Sequence, residues 1–410
     1  MQISKRLDGI TGGGSDGWEL FLKARAMVAA GIPVTELTIG EHDIRTAAPV
    51  LQAMHQAALG GHTGYAAIPG VDALRAAVAR RVTERTGVAT TPENVLITPG
   101  GQSALFAAHM AACDVGDRAL YIDPYYATYP GTIRGAGAVP VAVQARAKNA
   151  FQPRAADIAE AAQGAKSLLV NSPNNPTGVV YSRETLEGIA RISQDADLWL
   201  ISDEVYDTQV WEGEHVSPRA LPGMAERTLV VGSMSKSHAM TGSRIGWLIG
   251  PEAAIAHLIN LATHTTYGVP GFIQDAALFA LQEGPDFEAE IAEPFRRRRA
   301  LAKSILARQN TVGLVPAGGA MYLMLDIRAT GMSSEDFAED LLETHRIAVM
   351  PGESFGAAAW GHIRVAMTVE DAAFERALAT ICAHAQQRAA ACVNENGPGG
   401  KPGPRIFPTA

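Results

Sequence analysis

Residues 233–244 read Ser-Met-Ser-Lys-Ser-His-Ala-Met-Thr-Gly-Ser-Arg, and the apolar residues 228–231 before them predict a buried strand that ends at this stretch. Lys236 carries an amine that can form a Schiff base once its surroundings let it lose a proton. The neighbouring hydroxyls and the guanidinium of Arg244 are donors suited to a phosphate. The stretch thus indicates a site for a phosphate-bearing aldehyde, although a lysine between serines is more often a solvated loop residue.

Composition limits the classes of protein to which the chain can belong. Its 410 residues fit two domains, and 47% hydrophobic with 19% charged residues predict a sizeable core. The net charge of −8 argues against nucleic acid or an anionic membrane as a partner. No apolar run approaches the roughly 20 residues that span a bilayer, and no signal peptide is evident. The cysteines are too scattered for disulfides or a metal site, which fits a cytoplasmic protein: Cys113, Cys382 and Cys392.

Two further strand ends carry groups that such a site needs. Residues 94–98 predict a strand, followed by a Pro-Gly-Gly turn and a helix at 102–113, which aims free backbone amides at an anion. Asp203 follows the strand at 198–201, where a carboxylate can keep a pyridine nitrogen protonated. Tyr206 can point the same way if a helical turn starts there. The alternative for Asp203 is the N-cap of a short helix.

Three other features admit both a structural and a functional interpretation. Three tyrosines within residues 125–129 either pack a loop onto the core or supply a ring that stacks on a flat ligand. The string Asn-Asn-Pro-Thr-Gly at 174–178 predicts a rigid turn. Arg364 interrupts an apolar strand, so it needs either a structural salt bridge or an anion in a cleft.

Taken in order, these motifs resemble those of the class I/II aminotransferases, which use pyridoxal 5′-phosphate (PLP). The resemblance extends from Gly40 to Arg364 and rests on motifs at these positions: Tyr65 with Gly70, Leu74 and Arg75; Thr98 with Gly100, Ala104 and Leu105; Asn-Pro-Thr-Gly at 175–178; Asp-Glu-Val-Tyr at 203–206; Lys236 with Arg244 and Gly246; and Phe355-Gly356 with Ile363-Arg364. One loop departs from the family. It continues after Gly40 as Glu-His-Asp-Ile, where Pro-Asp-Phe is usual.

The resemblance implies the α/β architecture called PLP fold type I. A large three-layer α/β/α domain with a mostly parallel sheet is expected at residues 41–285. A smaller α+β domain would combine residues 1–40 with 286–391, and residues 392–410 would form a tail rich in glycine and proline. The family also implies a homodimer whose subunits share their active sites.

The resemblance also implies roles for individual residues. Lys236, Asp203 and Tyr206 would be catalytic, with Lys236 forming the Schiff base. Gly40, Asn175 and Arg364 would bind substrate, and no metal is expected. The full set expected to contact the cofactor is Gly101, Gln102, Tyr126, Asn175, Asp203, Tyr206, Ser233, Ser235, Lys236, Arg244 and, reaching into the neighbouring subunit's site, Tyr65. Residues 265–267 would form another contact between subunits.

The implied activity is amino-group transfer between an L-amino acid and a 2-oxo acid through pyridoxamine phosphate, a reaction of amino-acid metabolism. A β-eliminating carbon–sulfur lyase on the same fold is the main alternative. A PLP-binding regulator is disfavoured, because only about forty residues precede Gly40, too few for a DNA-binding domain. An NAD-linked dehydrogenase lacks its glycine fingerprint. The run Arg296–Arg299, within a helix predicted at 287–309, fits a solvated or interface face better than a nucleic-acid site.

Overall fold

The structure, a computed structural model, describes residues 1–12 and 18–396, with side chains up to Cys392. The strands are β1 (Thr35–Glu36), β2 (Val95–Thr98), β3 (Arg118–Asp123), β4 (Val139–Gln144), β5 (Ala165–Asn171), β6 (Trp199–Asp203), β7 (Thr228–Ser233), β8 (Gly246–Ile249), β9 (Gly313–Leu314), β10 (Tyr322–Asp326), β11 (Ile347–Ala348), β12 (Met350–Pro351) and β13 (His362–Ala366). The helices are α1 (Lys5–Asp8), α2 (Glu19–Ala29), α3 (Ala48–Leu59), α4 (Asp72–Thr86), α5 (Gly101–Ala112), α6 (Tyr129–Gly135), α7 (Ala155–Ala162), α8 (Arg183–Asp195), α9 (Met234–Ser237), α10 (Glu252–Thr263), α11 (Gly271–Gln282), α12 (Gly284–Leu306), α13 (Ser334–His345) and α14 (Asp371–Asn396).

The largest sheet has seven strands in the order β2-β8-β7-β6-β5-β3-β4. Strand β8 runs antiparallel to both of its neighbours, and the other pairs from β7 to β4 are parallel. Since parallel strands end at the same edge, the loops after β3, β5, β6 and β7 gather there. The predicted mostly parallel α/β sheet is confirmed.

Helices cover both faces of this sheet. In β6, Leu200 packs with α7 and α8, while its neighbour Ile201 packs with α5 and α10. The same alternation sends Val230 of β7 towards α4 and α11. Successive side chains of a strand point to opposite faces, so continuous apolar strands are buried on both sides. The result is three layers, helix on sheet on helix.

A smaller antiparallel sheet, in the order β12-β13-β10-β9, packs against the long helices α12 and α14. The separate pair β1–β11 joins the N-terminal segment to the C-terminal third of the chain, with Thr35 opposite Ile347. This pairing is consistent with the predicted two-segment small domain, whose limits remain a proposal.

Some predicted elements differ from the observed ones in their ends. The helix predicted at 287–309 begins earlier, at Gly284, because Pro285 stands in the first turn, where proline is tolerated. The apolar residues within 16–30 also predict a helix, and the observed helix begins at Glu19; Asp16 and Gly17 lie outside the described residues. Helix α14 continues to Asn396, into the segment predicted as a tail, and residues 397–410 are also outside the described part.

The four consecutive arginines of α12 have partners within the molecule. Arg296 lies over the Trp211 ring, with its guanidinium carbon 5.4 Å from the ring centroid. Arg297 and Arg298 bind Asp371, and Arg299 binds Glu212. The run therefore serves to attach α12 to its surroundings. Within residues 1–12 and 18–396, no helix is both long and apolar enough to cross a bilayer.

Candidate active site

One cavity of about 290 Å³ lies at the edge where the parallel strands end. All the site residues predicted from the sequence line it except Tyr65: Gly40, Gly101, Gln102, Tyr126, Asn175, Asp203, Tyr206, Ser233, Ser235, Lys236, Arg244 and Arg364. The large sheet supplies most of these groups, whereas Gly40 follows β1 and Arg364 lies in β13. Both predicted segments of the small domain thus reach the cavity.

Lys236 lies in the short helix α9, directly after β7. Ser233 caps this helix by accepting a hydrogen bond from the Ser235 amide at 3.1 Å. The Lys236 amine donates to the Gly40 carbonyl, which points it into the cavity. Burial lowers the pKa of Lys236, because removal from water disfavours the charged form. The amine is thus closer to its nucleophilic neutral form than a solvated lysine would be.

Asp203 ends β6 as a buried carboxylate, only 4% exposed. Burial raises its pKa to about 6, and a hydrogen bond from the Tyr129 hydroxyl at 2.7 Å acts in the opposite direction. A turn follows Asp203 and no helix begins there, so the N-cap interpretation is wrong. The turn places Tyr206 in the same cavity.

Helix α5 begins at Gly101 without a side-chain cap, so its first backbone amides have no partner within the helix. Gly100 precedes this helix with φ of 80°, and a Cβ there would lie 2.6 Å from a guanidinium nitrogen of Arg244. Glycine therefore lets Arg244 approach the helix end. Among the described residues Arg244 has no carboxylate partner, and its Nη1 donates to the Thr241 carbonyl at 2.8 Å. A guanidinium, a helix N-terminus and nearby serines fit a phosphate.

Arg364 is a buried cation, 2% exposed, that faces the cavity from β13. Its Nη1 donates to the Asn175 side-chain oxygen at 2.9 Å, its Nη2 donates to the Thr38 carbonyl, and its Nε has no hydrogen-bond partner. Burial lowers its pKa. No carboxylate of the described residues pairs with it, so the salt-bridge interpretation is wrong there. An unpaired buried cation aimed into a cavity fits a substrate carboxylate.

The tyrosine loop after β3 combines both of its interpretations. Tyr126 lines the cavity, and its ring stands 5.8 Å from that of Tyr129 in an edge-to-face contact. Tyr125 packs on Tyr121 instead, at 5.0 Å. One ring of the cluster is thus available to a flat ligand while the others hold the loop.

The loop after Gly40, which departs from the family pattern, is held in place by contacts with α12. Arg298 of α12 binds Asp43 with both terminal nitrogens, the shorter contact being 2.6 Å. His42 is buried against Phe295, with ring centroids 5.2 Å apart, and burial lowers its pKa to about 3. A neutral imidazole and an ion pair therefore fix this loop in place.

Tyr65 does not reach the cavity of its own chain. It is 90% exposed and packs edge-to-face on Tyr267 at 5.1 Å. The neighbouring Thr265 and Thr266 line a second cavity of about 1200 Å³, which shares Trp18 and Gln102 with the first. The predicted phosphate contact of Tyr65 is therefore possible only in another subunit.

Among the residues that line the cavity but were not predicted as site residues, two tyrosines contact predicted ones. Tyr129 holds Asp203, and Tyr322 of β10 lies between Tyr206 and Arg364. Tyr129 belongs to the tyrosine cluster at 125–129, which the sequence indicates as unusual. Tyr322 lies in an apolar strand with no such signal. Only the folded arrangement of β10 and β13 reveals the position of Tyr322.

A family model described as aminotransferase class I and II matches residues 32–381. The chain belongs to the class I and II aminotransferases. This aminotransferase is 41% identical over 371 residues to the arginine–pyruvate transaminase of Pseudomonas aeruginosa, an alignment covering 90% of this chain and 94% of the relative. It is 38% identical to an aspartate/prephenate aminotransferase of Thermus thermophilus, with 87% and 92% covered.

The structure of the aminotransferase is similar to that of an aspartate aminotransferase from Thermus thermophilus solved with maleate. The TM-score is 0.87 at 35% sequence identity, and the match covers 93% of this chain and 100% of the other. PLP fold type I, pyridoxal phosphate as cofactor and transamination as the reaction class are thereby confirmed. The N-terminus of α5 and Arg244 fit the phosphate of this cofactor. Arg364, which has no carboxylate partner among the described residues, fits the carboxylate of a substrate.

Proposed function

We propose that transamination takes place in this cavity and that Lys236, Asp203, Arg244 and Arg364 each have a separate role in it. Arg244, Ser233, Ser235 and the start of α5 would hold the cofactor phosphate, and Tyr126 would lie against its ring. Asp203 would face the ring nitrogen, with Tyr206 and Asn175 near the ring oxygen. When bound, the cofactor supplies an aldehyde carbon and a protonated ring that accepts electrons.

The protein's own groups would then bind, orient and move protons. Arg364 and Asn175 fix the substrate carboxylate, so that the bond from the α-carbon to its hydrogen faces Lys236. The Nζ of Lys236 would take that proton and give it to the former aldehyde carbon of the cofactor, a role as base that its lowered pKa favours. Asp203, ionised above about pH 6, keeps a proton on the group it faces.

The observation that carries this assignment is the placement of charges. One amine with a lowered pKa shares a small cavity with two arginines that lack carboxylate partners among the described residues. Arg364 is a buried cation without a carboxylate partner, which is costly, so it is expected to meet an anion when the protein works. Arg244 is exposed and lies beside the start of α5, where an anion is favoured. Two arginines match one phosphate and one carboxylate.

The decisive experiment is a pair of substitutions. Lys236→Ala should lower kcat by about ten thousandfold and abolish the absorbance band of the Schiff base that this lysine forms with the cofactor. Arg364→Ala should keep that absorbance but raise KM for the amino acid about 100-fold, since a buried charge contact is lost. Unaltered absorbance in the first variant, or lost cofactor with normal substrate affinity in the second, would refute the roles.

Matched controls come from exposed residues of the same types. Lys303 binds Glu212 at the surface, and Arg297 binds Asp371, each with a side chain that is 51% exposed. Lys303→Ala and Arg297→Ala should leave both kcat and KM within about twofold of the wild type, because surface ion pairs contribute little.

We infer that the amino donor has a neutral or basic side chain. The cations lining the cavity are Lys236, Arg244 and Arg364, and each already has a proposed role. Glu41, which accepts from Thr241 at 3.0 Å, adds a negative charge beside them. Of the similar proteins, one is named for arginine and pyruvate and another for aspartate and prephenate. The charges that line this cavity support an amino donor such as arginine.

A panel of donors with pyruvate as acceptor tests this inference. Arginine and alanine should show kcat/KM at least about tenfold above that of aspartate, because an acidic side chain would meet no free cation. A preference for aspartate would contradict it. Release of pyruvate from a cysteine conjugate without any added 2-oxo acid would instead favour the β-eliminating lyase.

We also propose a homodimer in the cytoplasm. The exposed Tyr65–Tyr267 pair and the second cavity beside Gln102 are where a second copy would complete the site. Cys113 and Cys382 are free thiols, which agrees with a reducing compartment.

A further inference from the structure

Tyr322 contacts several groups to which the proposed function gives a role. It begins β10, is 3% exposed and lines the 290 Å³ cavity. In the antiparallel pair of β10 with β13, Tyr322 lies opposite Ala366, and Arg364 lies opposite Met324. Residues two apart in a strand share a face, so Tyr322 and Arg364 are diagonal neighbours on the face towards the cavity.

The first contact joins two hydroxyls. The oxygens of Tyr322 and Tyr206 are 3.0 Å apart, and both rings are buried. A tyrosine hydroxyl carries a single proton, so only one of the pair donates in this bond. If Tyr322 donates, the proton of Tyr206 stays free to point into the cavity. If Tyr206 donates, its proton is already used.

The second contact is with the guanidinium of Arg364. Its central carbon lies 4.5 Å from the centroid of the Tyr322 ring and 4.4 Å from that of Phe355, so the cation stands between two aromatic rings. Such contacts stabilise a desolvated cation and fix the plane of its donors. The positive charge against its ring also makes the Tyr322 hydroxyl the better donor of the pair.

The third contact is with the backbone that binds the amine. A Cβ at Gly40 would overlap the Tyr322 hydroxyl, and the Gly40 carbonyl accepts from Lys236. Tyr322 therefore contacts the peptide that holds Lys236, the guanidinium of Arg364 and the hydroxyl of Tyr206.

We propose that Tyr322 is a positioning residue for transamination: its hydroxyl donates to Tyr206 and so turns the Tyr206 proton into the cavity, while its ring fixes the plane of Arg364. This inference rests on the proposed roles of Lys236 and Arg364. Tyr206 then donates to the ring oxygen of the cofactor, and a donor there favours the form in which that oxygen is negatively charged.

Tyr322→Phe tests the hydroxyl while keeping the ring over Arg364. In the cofactor-loaded enzyme, the pH midpoint of the visible absorbance change should move upwards by about 0.5 unit or more, because the deprotonated form of the bound cofactor loses a hydrogen bond. We expect kcat to fall about tenfold and KM to change less than about twofold, since the clamp on the carboxylate is retained. An unchanged midpoint with unchanged kcat would overturn the proposal.

Phe355→Leu is the matched variant on the other face of Arg364. It should raise KM by about fivefold or more, through a looser guanidinium, and leave the absorbance midpoint in place. A midpoint shift as large as that of Tyr322→Phe would mean that both changes merely loosen the site, which would also overturn the proposal. Failure of the proposed function would show separately: the absorbance band of the Schiff base would then survive Lys236→Ala.

Discussion

At the scale of single residues, Asp203 shows how a site tunes a carboxylate. Burial raises its pKa to about 6, and the Tyr129 hydroxyl limits that rise by hydrogen bonding to the charged form. As the pH falls through the pKa of Asp203, the carboxylate takes up a proton and can no longer balance a protonated ring nitrogen. The affinity for cofactor should therefore decrease as the solution becomes more acidic.

Tyr129→Phe should move this loss of affinity to higher pH by about 0.5–1 unit, because the charged carboxylate loses its hydrogen bond. The measurement is the dissociation constant of pyridoxal phosphate for the apoprotein, followed by protein fluorescence between pH 5 and 8. Comparison of variants cancels the ionisations of the cofactor itself. Tyr181→Phe, at a buried tyrosine of another cluster, should behave as the wild type. A shift to lower pH would contradict the role of Tyr129.

Sequence reasoning identified most of the cavity because chemistry and local motif coincide there. Asp203 and Lys236 each follow an apolar strand, and Asn175 sits in a distinctive turn. Tyr322 was not predicted, since its partner Tyr206 is 116 positions away and the contact depends on strand pairing in another sheet. Whether a carboxylate pairs with Arg364 likewise depends on the folded structure. The sequence therefore left two interpretations open, a structural salt bridge and an anion in a cleft.

At the scale of elements, a buried charge cluster joins α4, the turn after β6 and α12. Arg81 of α4 donates to Asp207 at 2.8 Å and to Glu288 of α12 at 3.0 Å, while Arg85 contacts both carboxylates. Burial alone would raise the pKa of Asp207, but the two arginines outweigh it and lower the pKa. Asp207 adjoins Tyr206, so the cluster fixes the turn that positions this tyrosine.

Asp207→Asn should lower the free energy of unfolding at pH 7 by about 3 kcal/mol, because the largely buried Arg81 loses a charged partner, as does the more exposed Arg85. The stabilisation by ionised Asp207 is complete above its unfolded pKa of about 3.9 and is lost as the pH falls towards the lower folded value. Urea unfolding should therefore show the difference at pH 7 and a smaller one below about pH 4.

Asp157→Asn provides the comparison, since Asp157 pairs with Arg154 near the surface at 2.7 Å. Its effect should stay below about 1 kcal/mol at both pH values. Equal losses for the two variants would mean that burial of the cluster contributes nothing to stability.

Apolar periodicity predicted the central elements because their strands are buried on both faces. The runs predicted at 198–201 and 228–231 lie, except for Leu198, within β6 and β7. The apolar residues from 347 to 351 form two short strands in different sheets, β11 and β12, a change of partner that no local pattern encodes. Local sequence also could not predict that β8 runs antiparallel, because the direction of a strand depends on the path by which the chain re-enters the sheet.

At the scale of the whole molecule, the exposed Tyr65 bears on our proposal that a second copy of the chain completes the site. If Tyr65 acts in the neighbouring subunit, Tyr65→Ala and Lys236→Ala should complement each other in mixed dimers. One site of each mixed dimer would then hold both Lys236 and Tyr65. Coexpression in equal amounts should restore about one quarter of wild-type sites, since half of the random dimers are mixed.

The measurement is kcat per active site and cofactor affinity of the coexpressed mixture, with each variant purified separately as the reference. Mixing Lys236→Ala with Asp203→Ala is the control, because both residues lie in the same cavity. The mixed dimer then has no site with both groups, and no activity should return. Absence of recovery with Tyr65→Ala as well would place Tyr65 outside the partner's site.

The overlap between a side chain at position 40 and the Tyr322 hydroxyl also bears on how relatives of this chain can diverge. The two positions are distant in sequence yet occupy one volume, so position 40 cannot gain a side chain while Tyr322 is in place. A smaller residue at 322 makes room for that side chain but removes the ring against Arg364. Among relatives, a side chain at position 40 should therefore occur only together with a residue smaller than tyrosine at position 322.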